Sequence, residues 1–393
     1  MIRIRTIDHL ALRGARVFYR VDYNVPLEGD RIGDATRIEE TLPTLRMLRE
    51  RDASVVIASH LGRPKGQRDS KYSLEPVRAR LAELINADVQ WADDCVGSDV
   101  ETKASELKAG QLLLLENLRF HPEEEANDRG FAGQLRKLAD FYVNDAFGAC
   151  HRAHASIEAL PRLFPTDHTA GGLLLARELQ FLQKITNVSD RPFVAILGGA
   201  KIAGKIEPLQ ALAKMADTLL IGGGMANTFL AARNVKMGRS LVDRDSIDVA
   251  RRILADQKVR LPVDLVVTDS IDKPERVEIS NVDHGLFDDQ MAVDIGPQTI
   301  TRFAAAIKGG HTIFWNGPMG VFEKEEFARG TMAVARAIAE AKATSVVGGG
   351  ESVEAVKASG YADRISHIST GGGASLEFVA GQKLPGVEVL RVS

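Results

Sequence analysis

The sequence predicts an α/β protein of two domains, each a parallel sheet flanked by helices. A chain of 393 residues is longer than one compact core usually holds. Short apolar runs alternate with helix-like segments, and unbroken apolar runs are typical of strands buried on both faces of a parallel sheet. The pattern restarts after about residue 190. Together these observations indicate two Rossmann-like domains joined by a hinge helix.

The strand-like runs of the first half are ARVFYRV, ASVVIAS, QLLLLEN and DFYVNDA, and those of the second are FVAILGG, TLLIGGG, DLVVTDS, TIFWNGP and SVVGGG. The segment from Thr169 that separates the two sets has helical spacing at Leu175, Leu179 and Leu182, which predicts a connecting helix. The run SHISTGGGASLEFV, from Ser366, is expected to cross back between the domains.

Composition excludes several classes of protein. A formal net charge of -3 argues against general nucleic-acid binding. No apolar run approaches the ~18 residues of a membrane span, and the N-terminus lacks the apolar region of a signal peptide. Cys95 and Cys150 give neither a disulfide framework nor zinc-ligand spacing. We therefore expect a cytoplasmic protein with no membrane or nucleic-acid partner.

In the first half, strand-like runs end in cationic or hydrogen-bonding residues. Arg37, Arg63, Arg119 and Arg152 lie in loops that should converge on one sheet edge. A single surface arginine is usually only solvated. A cluster of like charges, however, costs stability unless an anion neutralises it, and guanidinium groups bind carboxylate and phosphate bidentately. These loops predict a site for a small, highly charged anion.

In the second half, similar runs end in glycine clusters that open into helices, an arrangement suited to nucleotide phosphates. Residues 199–205 (GAKIAGK) match the start of a P-loop, but Ile206 cannot ligate magnesium, so we reject that motif. Lys201 and Lys205 remain, either as phosphate ligands or as solvated residues at a helix start. No cluster completes the dinucleotide pattern G-x-G-x-x-G.

A small anion on one domain and a nucleotide on the other indicate a kinase. Two alternatives stay open. A nicotinamide-dependent oxidoreductase would also have two α/β domains, although the dinucleotide pattern is missing. A non-catalytic phosphometabolite-binding protein would use the arginine loops and leave the glycine loops idle. Cys150 beside His151 suggests a thiol nucleophile, but no orienting acid is identifiable, and a small buried thiol is the better interpretation.

The loops, taken in order, resemble those of the phosphoglycerate kinase family from about Arg16 to Leu384. The most specific segments are RVDYNVPL, SHLGRP, KYSLEPV, LLLENLRFHPEEE, VNDAFGACHRAHAS, LGGAKIAGKI, WNGPMGVFE and STGGGASLEF. The resemblance implies a bilobal kinase with an N-terminal domain (residues 1–172) that binds 3-phosphoglycerate. It also implies a C-terminal domain (residues 173–378) that binds ATP or ADP with Mg²⁺, and a tail (residues 379–393) that returns to the first domain. The family suggests a monomer.

The resemblance also assigns individual residues. It implies that the anion is bound by Asp22, Asn24, Arg37, His60, Arg63, Arg119 and Arg152. It implies that the nucleotide is bound by Lys201, Lys205, Gly223, Asn316, Pro318, Glu323, Gly349, Gly350, Glu351 and Ser352. The acceptor is a carboxylate, so no general base is needed, and catalysis reduces to positioning and electrostatic stabilisation. For those roles we predict Arg37, Lys201 and the backbone N–H groups near Gly350 and Gly373.

One position departs from the family. Where the family usually has the aspartate that holds the metal, this chain has Glu351, one methylene longer. Direct ligation of Mg²⁺, ligation through water and a shifted backbone are all compatible with that change. Substrates held on separate domains must be brought together, so we predict hinge closure. Glu178 and His367 match positions that interact between the domains of the family, the alternative being an ordinary surface pair.

Overall fold

The computed structural model describes residues 2–29, 31–256 and 258–392. The chain divides into two compact units. The first contains the residues up to Gln180 together with the segment from Lys383 onward, and the second is Phe181–Gln382. Within the described residues, no helix is long and apolar enough to cross a membrane.

Six parallel strands form the main sheet of the first unit, in the order β5-β6-β4-β1-β7-β8, and two short strands form a hairpin beside it. Every residue of β4 and β6 is buried, as the unbroken apolar runs predict. The strands are β1 Arg16–Arg20, β2 Leu27–Glu28, β3 Arg31–Ile32, β4 Ser54–Ala58, β5 Val89–Ala92, β6 Leu112–Leu115, β7 Phe141–Asn144 and β8 Thr169–Gly171.

The helices that belong wholly to the first unit are α1 Thr36–Glu39, α2 Leu42–Glu50, α3 Glu75–Ile85, α4 Ser98–Glu106, α5 Pro122–Glu125, α6 Arg129–Arg136 and α15 Pro385–Glu388. α3 has Pro76 in its first turn and ends at Asn86 in the left-handed conformation, both common helix-boundary features. α15 packs on the loop after β7, where the Gly386 N–H donates to the Cys150 carbonyl oxygen at 3.0 Å. The tail also pairs with the N-terminus, where the Val392 N–H donates to the Arg3 carbonyl oxygen at 2.9 Å.

α7, Leu173–Thr186, begins in the first unit and ends in the second. Leu175, Leu179 and Leu182 are buried along it, which confirms the helical spacing. The segment from Thr169 is not helical throughout, because β8 occupies its first three residues.

The main sheet of the second unit also has six parallel strands, in the order β11-β10-β9-β15-β16-β17. Its strands are β9 Phe193–Leu197, β10 Thr218–Ile221, β11 Val259–Arg260, β15 Thr312–Asn316, β16 Thr344–Gly348 and β17 His367–Ile368. Its helices are α8 Ile206–Met215, α9 Gly223–Ala232, α10 Ile247–Ile253, α11 Pro297–Lys308, α12 Arg329–Glu340, α13 Gly350–Ala358 and α14 Gly373–Val379.

The run DLVVTDS is a strand, but it lies outside the parallel sheet. It forms β12, Asp264–Thr268, the middle of an antiparallel sheet with β13, Val277–Asn281, and β14, Met291–Ile295. β12 is buried throughout, so its composition matches that of a parallel strand although its partners are antiparallel.

In each main sheet the strand order reverses at one point, between β1 and β7 in the first and between β9 and β15 in the second. Open α/β sheets bind ligands at the carboxyl ends of the strands around such a point. The loops with Arg63, Arg119 and Arg152 follow β4, β6 and β7, and the loop with Asp22 and Asn24 follows β1. The prediction that Arg37 lies in a loop is wrong, because Arg37 lies on α1, after the short hairpin. The glycine loops follow β9, β10, β16 and β17. The topology therefore gives each unit one edge at which its predicted residues gather.

Candidate active site

Hydrogen bonds join the loops after β1, β4 and β6 in the first unit. The Gly62 N–H donates to Asn24 Oδ1 at 2.8 Å, and Arg119 Nη1 donates to the Gly62 carbonyl oxygen at 2.8 Å. The Tyr23 N–H donates to Ser59 Oγ at 2.8 Å. Because these three strands are neighbours in the sheet, loops far apart in sequence form one surface. Asn24 and Arg119 therefore lie together, as the sequence predicts.

The charged groups on this surface are close but incompletely neutralised. Arg37 Nη1 lies 2.9 Å from Asp22 Oδ2, and His60 Nε2 lies 3.9 Å from Asp22 Oδ1. Arg119 Nε is 3.4 Å from a Glu125 carboxylate oxygen, yet it is buried and makes no hydrogen bond. A buried N–H without an acceptor is costly, so this guanidinium is suited to receive an anionic oxygen.

Two further predicted arginines border this surface. Arg152 Nε lies 3.2 Å from His151 Nε2, and the Arg152 side chain is half-buried. Arg63 is exposed in the loop after β4. We call the predicted set Asp22, Asn24, Arg37, His60, Arg63, Arg119 and Arg152 the anion cluster.

The histidines beside these arginines are held neutral. Burial, followed by the charges of Arg119 and Arg20, lowers the pKa of His154 to about 3. The same causes hold the pKa of His60 well below its usual value. Burial and Arg152 lower the pKa of His151. The positive charge of the surface therefore comes from guanidinium groups at neutral pH.

A buried polar network under the anion cluster was not predicted. Arg20 is fully buried at the end of β1, where its Nε donates to Ser156 Oγ at 2.7 Å and its Nη2 lies 3.3 Å from His60 Nδ1. Its charge faces Glu124, 3.9 Å away, which accepts hydrogen bonds from the Ser156 N–H and hydroxyl. The sequence contained one signal for this network, an arginine at the end of an apolar run. If such an arginine is buried, its guanidinium requires polar partners.

In the second unit, three glycine turns cross with almost no space between their backbones. A Cβ on Gly198 would lie 2.0 Å from the Pro318 carbonyl oxygen, and one on Gly223 would lie 2.8 Å from that oxygen and from the Gly199 nitrogen. Gly223 also has φ +61°, a conformation that L side chains rarely adopt. Hydrogen bonds fix the crossing, since the Gly199 N–H donates to the Pro318 carbonyl oxygen at 2.9 Å.

Two cavities open beside this crossing, and Glu351 borders both. One, of about 390 Å³, is lined by Gly223, Pro318 and Glu323 among the predicted residues. The other, of about 420 Å³, is lined by Lys205, Asn316, Gly349, Gly350, Ser352 and Gly373. The first has a largely apolar wall and the second is rich in glycine. An apolar cavity beside a glycine-rich one suits a nucleoside with attached phosphates.

The two predicted lysines differ in position. Lys205 Nζ lies 3.5 Å from Asn316 Oδ1 and from the Gly198 carbonyl oxygen, inside the glycine-rich cavity. Burial lowers the pKa of Lys205, and the charge of Glu351 opposes that shift. Lys201 is exposed and lines neither cavity.

The hydroxyl of Ser352 accepts a hydrogen bond from the Gly317 N–H at 2.6 Å, and Ser352 is fully buried in the first turn of α13. It therefore holds the loop after β15 against this helix start. Glu351, the preceding residue in the same turn, is exposed to the cavities and presents carboxylate oxygens, the donors that Mg²⁺ prefers. The donor set fits a magnesium ion bound with phosphates.

Part of the apolar cavity comes from the antiparallel sheet and was not predicted. Asn227 on α9, and Met291 and Asp294 on β14, line it. Burial raises the pKa of Asp294 to about 7, although the Gly330 and Ile295 N–H groups donate to its carboxylate. The sequence predicts a parallel strand here only for the run DLVVTDS and assigns no role to the residues of β14. Glu178 and His367 are both buried, and their pairing stays a prediction.

Comparison with known proteins agrees with this geometry. The family model described as phosphoglycerate kinase matches residues 7–382. Phosphoglycerate kinases of Moorella thermoacetica and Solibacter usitatus are 52% and 49% identical to this chain, each over 98% of both sequences. The solved phosphoglycerate kinase from Coxiella burnetii is 35% identical, with a TM-score of 0.85 over 99% of both chains.

A second solved structure, the phosphoglycerate kinase from Pyrococcus horikoshii, is 34% identical to this chain. It has a TM-score of 0.89 and covers 99% of this chain and 98% of its own. Similarity of this extent in sequence and structure shows that the chain belongs to the phosphoglycerate kinase family.

Proposed function

We propose that this chain transfers a phosphoryl group reversibly between ATP and the C1 carboxylate of 3-phosphoglycerate, giving ADP and 1,3-bisphosphoglycerate. One observation supports the proposal most directly. Each unit gathers its predicted residues at the carboxyl edge of its sheet, arginines in one and a lysine with glycine turns in the other. A small polyanion and a nucleotide are the two substrates of this reaction.

We assign 3-phosphoglycerate to the anion cluster, in the first unit. Guanidinium groups bind phosphate and carboxylate bidentately, and the buried Arg119 Nε makes no hydrogen bond, its ion-pair partner Glu125 lying 3.4 Å away. The acceptor carboxylate is ionised at neutral pH and attacks without a general base. The neutral histidines are compatible with a mechanism that has no general base, because they need only form hydrogen bonds and transfer no proton.

We assign the nucleotide to the two cavities of the second unit, with the base and ribose toward Pro318 and Glu323 and the phosphates toward Lys205 and the start of α13. Helix N–H groups at Gly350 stabilise phosphate oxygens. Glu351 would hold Mg²⁺, which would neutralise negative charge on the phosphates. We keep Arg37, Lys201 and the N–H groups near Gly350 and Gly373 as the groups that stabilise the transferred phosphoryl group. Direct transfer requires both substrates to be held together, so hinge closure remains part of the proposal.

The test is ATP consumption that depends on 3-phosphoglycerate, coupled through glyceraldehyde-3-phosphate dehydrogenase to loss of NADH, across a magnesium titration. We expect turnover only with 3-phosphoglycerate, ATP and Mg²⁺ together. Nucleotide binding without turnover would instead support a phosphometabolite-binding protein, and a fluorescence change with a nicotinamide cofactor would support an oxidoreductase.

The same titration tests the assignment of Glu351. Glu351→Gln removes the charge but keeps the length, and Glu351→Asp restores the residue that is usual in the family. We expect the first variant to need much more Mg²⁺ for half-maximal rate and the second to retain turnover. An unchanged magnesium requirement in Glu351→Gln would show that the carboxylate does not hold the metal. We also expect a cytoplasmic monomer, and light scattering checks the mass against 42.7 kDa.

A further inference from the structure

A second group of chemically reactive side chains lies in the first unit, away from the anion cluster. Asp94 and Cys95 follow β5, and His121 follows β6 and precedes α5. These two strands are neighbours at the β5 end of the sheet. The three side chains are the only group of His, Cys, Asp and Glu ligands for a metal ion among residues 2–29, 31–256 and 258–392, and their ligand atoms lie within 4.8 Å of one another.

We propose that Asp94, Cys95 and His121 bind one zinc ion or a cation of similar softness, at a site distinct from the magnesium site of the kinase reaction. A carboxylate, a thiolate and an imidazole are all zinc ligands, whereas Mg²⁺ avoids sulfur and nitrogen. Three protein ligands leave the fourth tetrahedral position to water.

The distances bracket those of a tetrahedral site. His121 Nε2 lies 2.6 Å from Asp94 Oδ1, and no pair of ligand atoms exceeds 4.8 Å. Bond lengths of about 2.0 to 2.3 Å place the ligands of tetrahedral zinc about 3.3 to 3.6 Å apart. The Asp94–His121 pair must open slightly to reach that spacing, which is a side-chain movement at the end of two short strands.

The proposed site is closed to solvent on the side of Cys95 and open to solvent on the other side. Cys95 is fully buried, while Asp94 and His121 are partly exposed. The Cys95 N–H donates to Asp94 Oδ1 at 2.7 Å, which orients the carboxylate, and the His121 ring stacks on Phe131 with the ring centres 5.2 Å apart. Ligands oriented by a second layer of contacts bind metal more tightly than mobile ones.

Binding exchanges protons for the metal ion. The proton shared by His121 and Asp94 and the thiol proton of Cys95 leave to solvent, so a charge of +2 replaces up to two protons. Because the thiol must lose its proton to bind, affinity for the metal should fall at low pH. Arg68 opposes a cation here, while Glu123 and Glu124 favour one.

Cobalt titration of the whole metal-free protein tests the site, because thiolate-bound Co²⁺ has a charge-transfer absorption that oxygen and nitrogen ligands do not give. We expect this band in the unmodified chain, its loss on addition of Zn²⁺ and its persistence in excess Mg²⁺. A cobalt ion at Glu351 would not produce it, so the signal requires a bound cysteine, either Cys95 or Cys150. Absence of the band in the unmodified chain would overturn the proposal.

Variants locate the ligands. Cys95→Ser should abolish the band, and Cys150→Ser, which changes the other buried cysteine, should keep it. Asp94→Asn and His121→Gln alter partly exposed side chains, so the fold should survive, and each should weaken cobalt binding by at least about tenfold. Circular dichroism confirms that each variant is folded. A band that persists in Cys95→Ser, or unchanged affinity in both Asp94→Asn and His121→Gln, would contradict the assignment.

Discussion

Arg20 is a fully buried guanidinium that organises residues on both sides of it. It contacts Ser156 and lies 3.3 Å from His60 Nδ1, and its charge faces Glu124. Removing one partner of a buried charge pair costs far more than the pair contributes, because the other charge remains without compensation. Arg20 contacts His60 from below the anion cluster, and its charge adds to burial and to Arg119 in lowering the pKa of His60.

Arg37 is the residue for which a direct role in the transition state is most testable. Its guanidinium is only partly buried and is paired with Asp22, so it is available to an incoming anion. We expect Arg37→Ala to lower kcat by about 100-fold to 1000-fold, as loss of one transition-state donor does, while ATP affinity stays unchanged. Steady-state kinetics and nucleotide titration measure the two effects. Arg31→Ala, at an exposed arginine on β3, is the control, and equal losses in kcat and ATP affinity would contradict the assignment.

His154 should make the stability of the protein depend on pH. Its folded pKa, about 3, lies below the unfolded value, so the unfolded chain binds more protons between about pH 6.5 and pH 3. The stability that the neutral His154 side chain provides is therefore fully present above pH 6.5 and is lost as the pH falls toward 3. We expect urea unfolding of His154→Gln to show a shallower pH dependence, by up to about 1.4 kcal/mol per pH unit below pH 6.5. Identical slopes for the variant and the unmodified chain would refute this.

Among the elements, the crossing of glycine turns in the second unit leaves no room for an added side chain. The turns after β9, β10 and β15 touch through backbone atoms, and Gly223 begins α9 at φ +61°. A side chain there would have to separate two strands of the parallel sheet. The shape of both cavities therefore depends on residues that have no side chain.

Gly223→Ala tests this crossing. We expect it to lower the free energy of unfolding by about 2 to 5 kcal/mol, from backbone strain together with overpacking. Gly360→Ala is the matched control, because Gly360 has φ +73° in the same unit and nothing lies within 4 Å of an added Cβ. It should cost only about 1 to 2 kcal/mol of strain. Equal losses in chemical denaturation would show that the close approach is unimportant.

Elements with a strong local signal could be predicted from the sequence. β4 and β6 are unbroken apolar runs, and their loops carry the predicted Arg119 and His60. The antiparallel partners of β12 could not be predicted, because a fully buried strand has the same composition in either kind of sheet. The group of Asp94, Cys95 and His121 was missed for a related reason. Its members meet through the pairing of β5 with β6, and their spacing in sequence contains no metal-binding pattern.

At the scale of the whole molecule, the proposed hinge closure should be sensitive to substitution of single residues. The resemblance pairs Glu178, on α7, with His367, on β17. We expect Glu178→Gln to reduce both the turnover and the decrease in radius of gyration that both substrates induce, because hinge residues affect kcat and KM together. Small-angle scattering with and without substrates measures the second effect. If closure and turnover both match the unmodified chain, the pair has no role in the movement.

The C-terminal segment belongs to the first unit, where it pairs with residues near the N-terminus. The second unit is therefore an insertion within the first, and all of its residues are synthesised before Lys383. During translation the second unit can complete its fold while the first still lacks α15 and the strand-like pairing of Ile4 with Arg391. This arrangement allows the reverse of the usual order, in which the N-terminal domain finishes first on the ribosome. The arginine-bearing unit cannot complete its contacts with α15 until the residues after Lys383 have been synthesised.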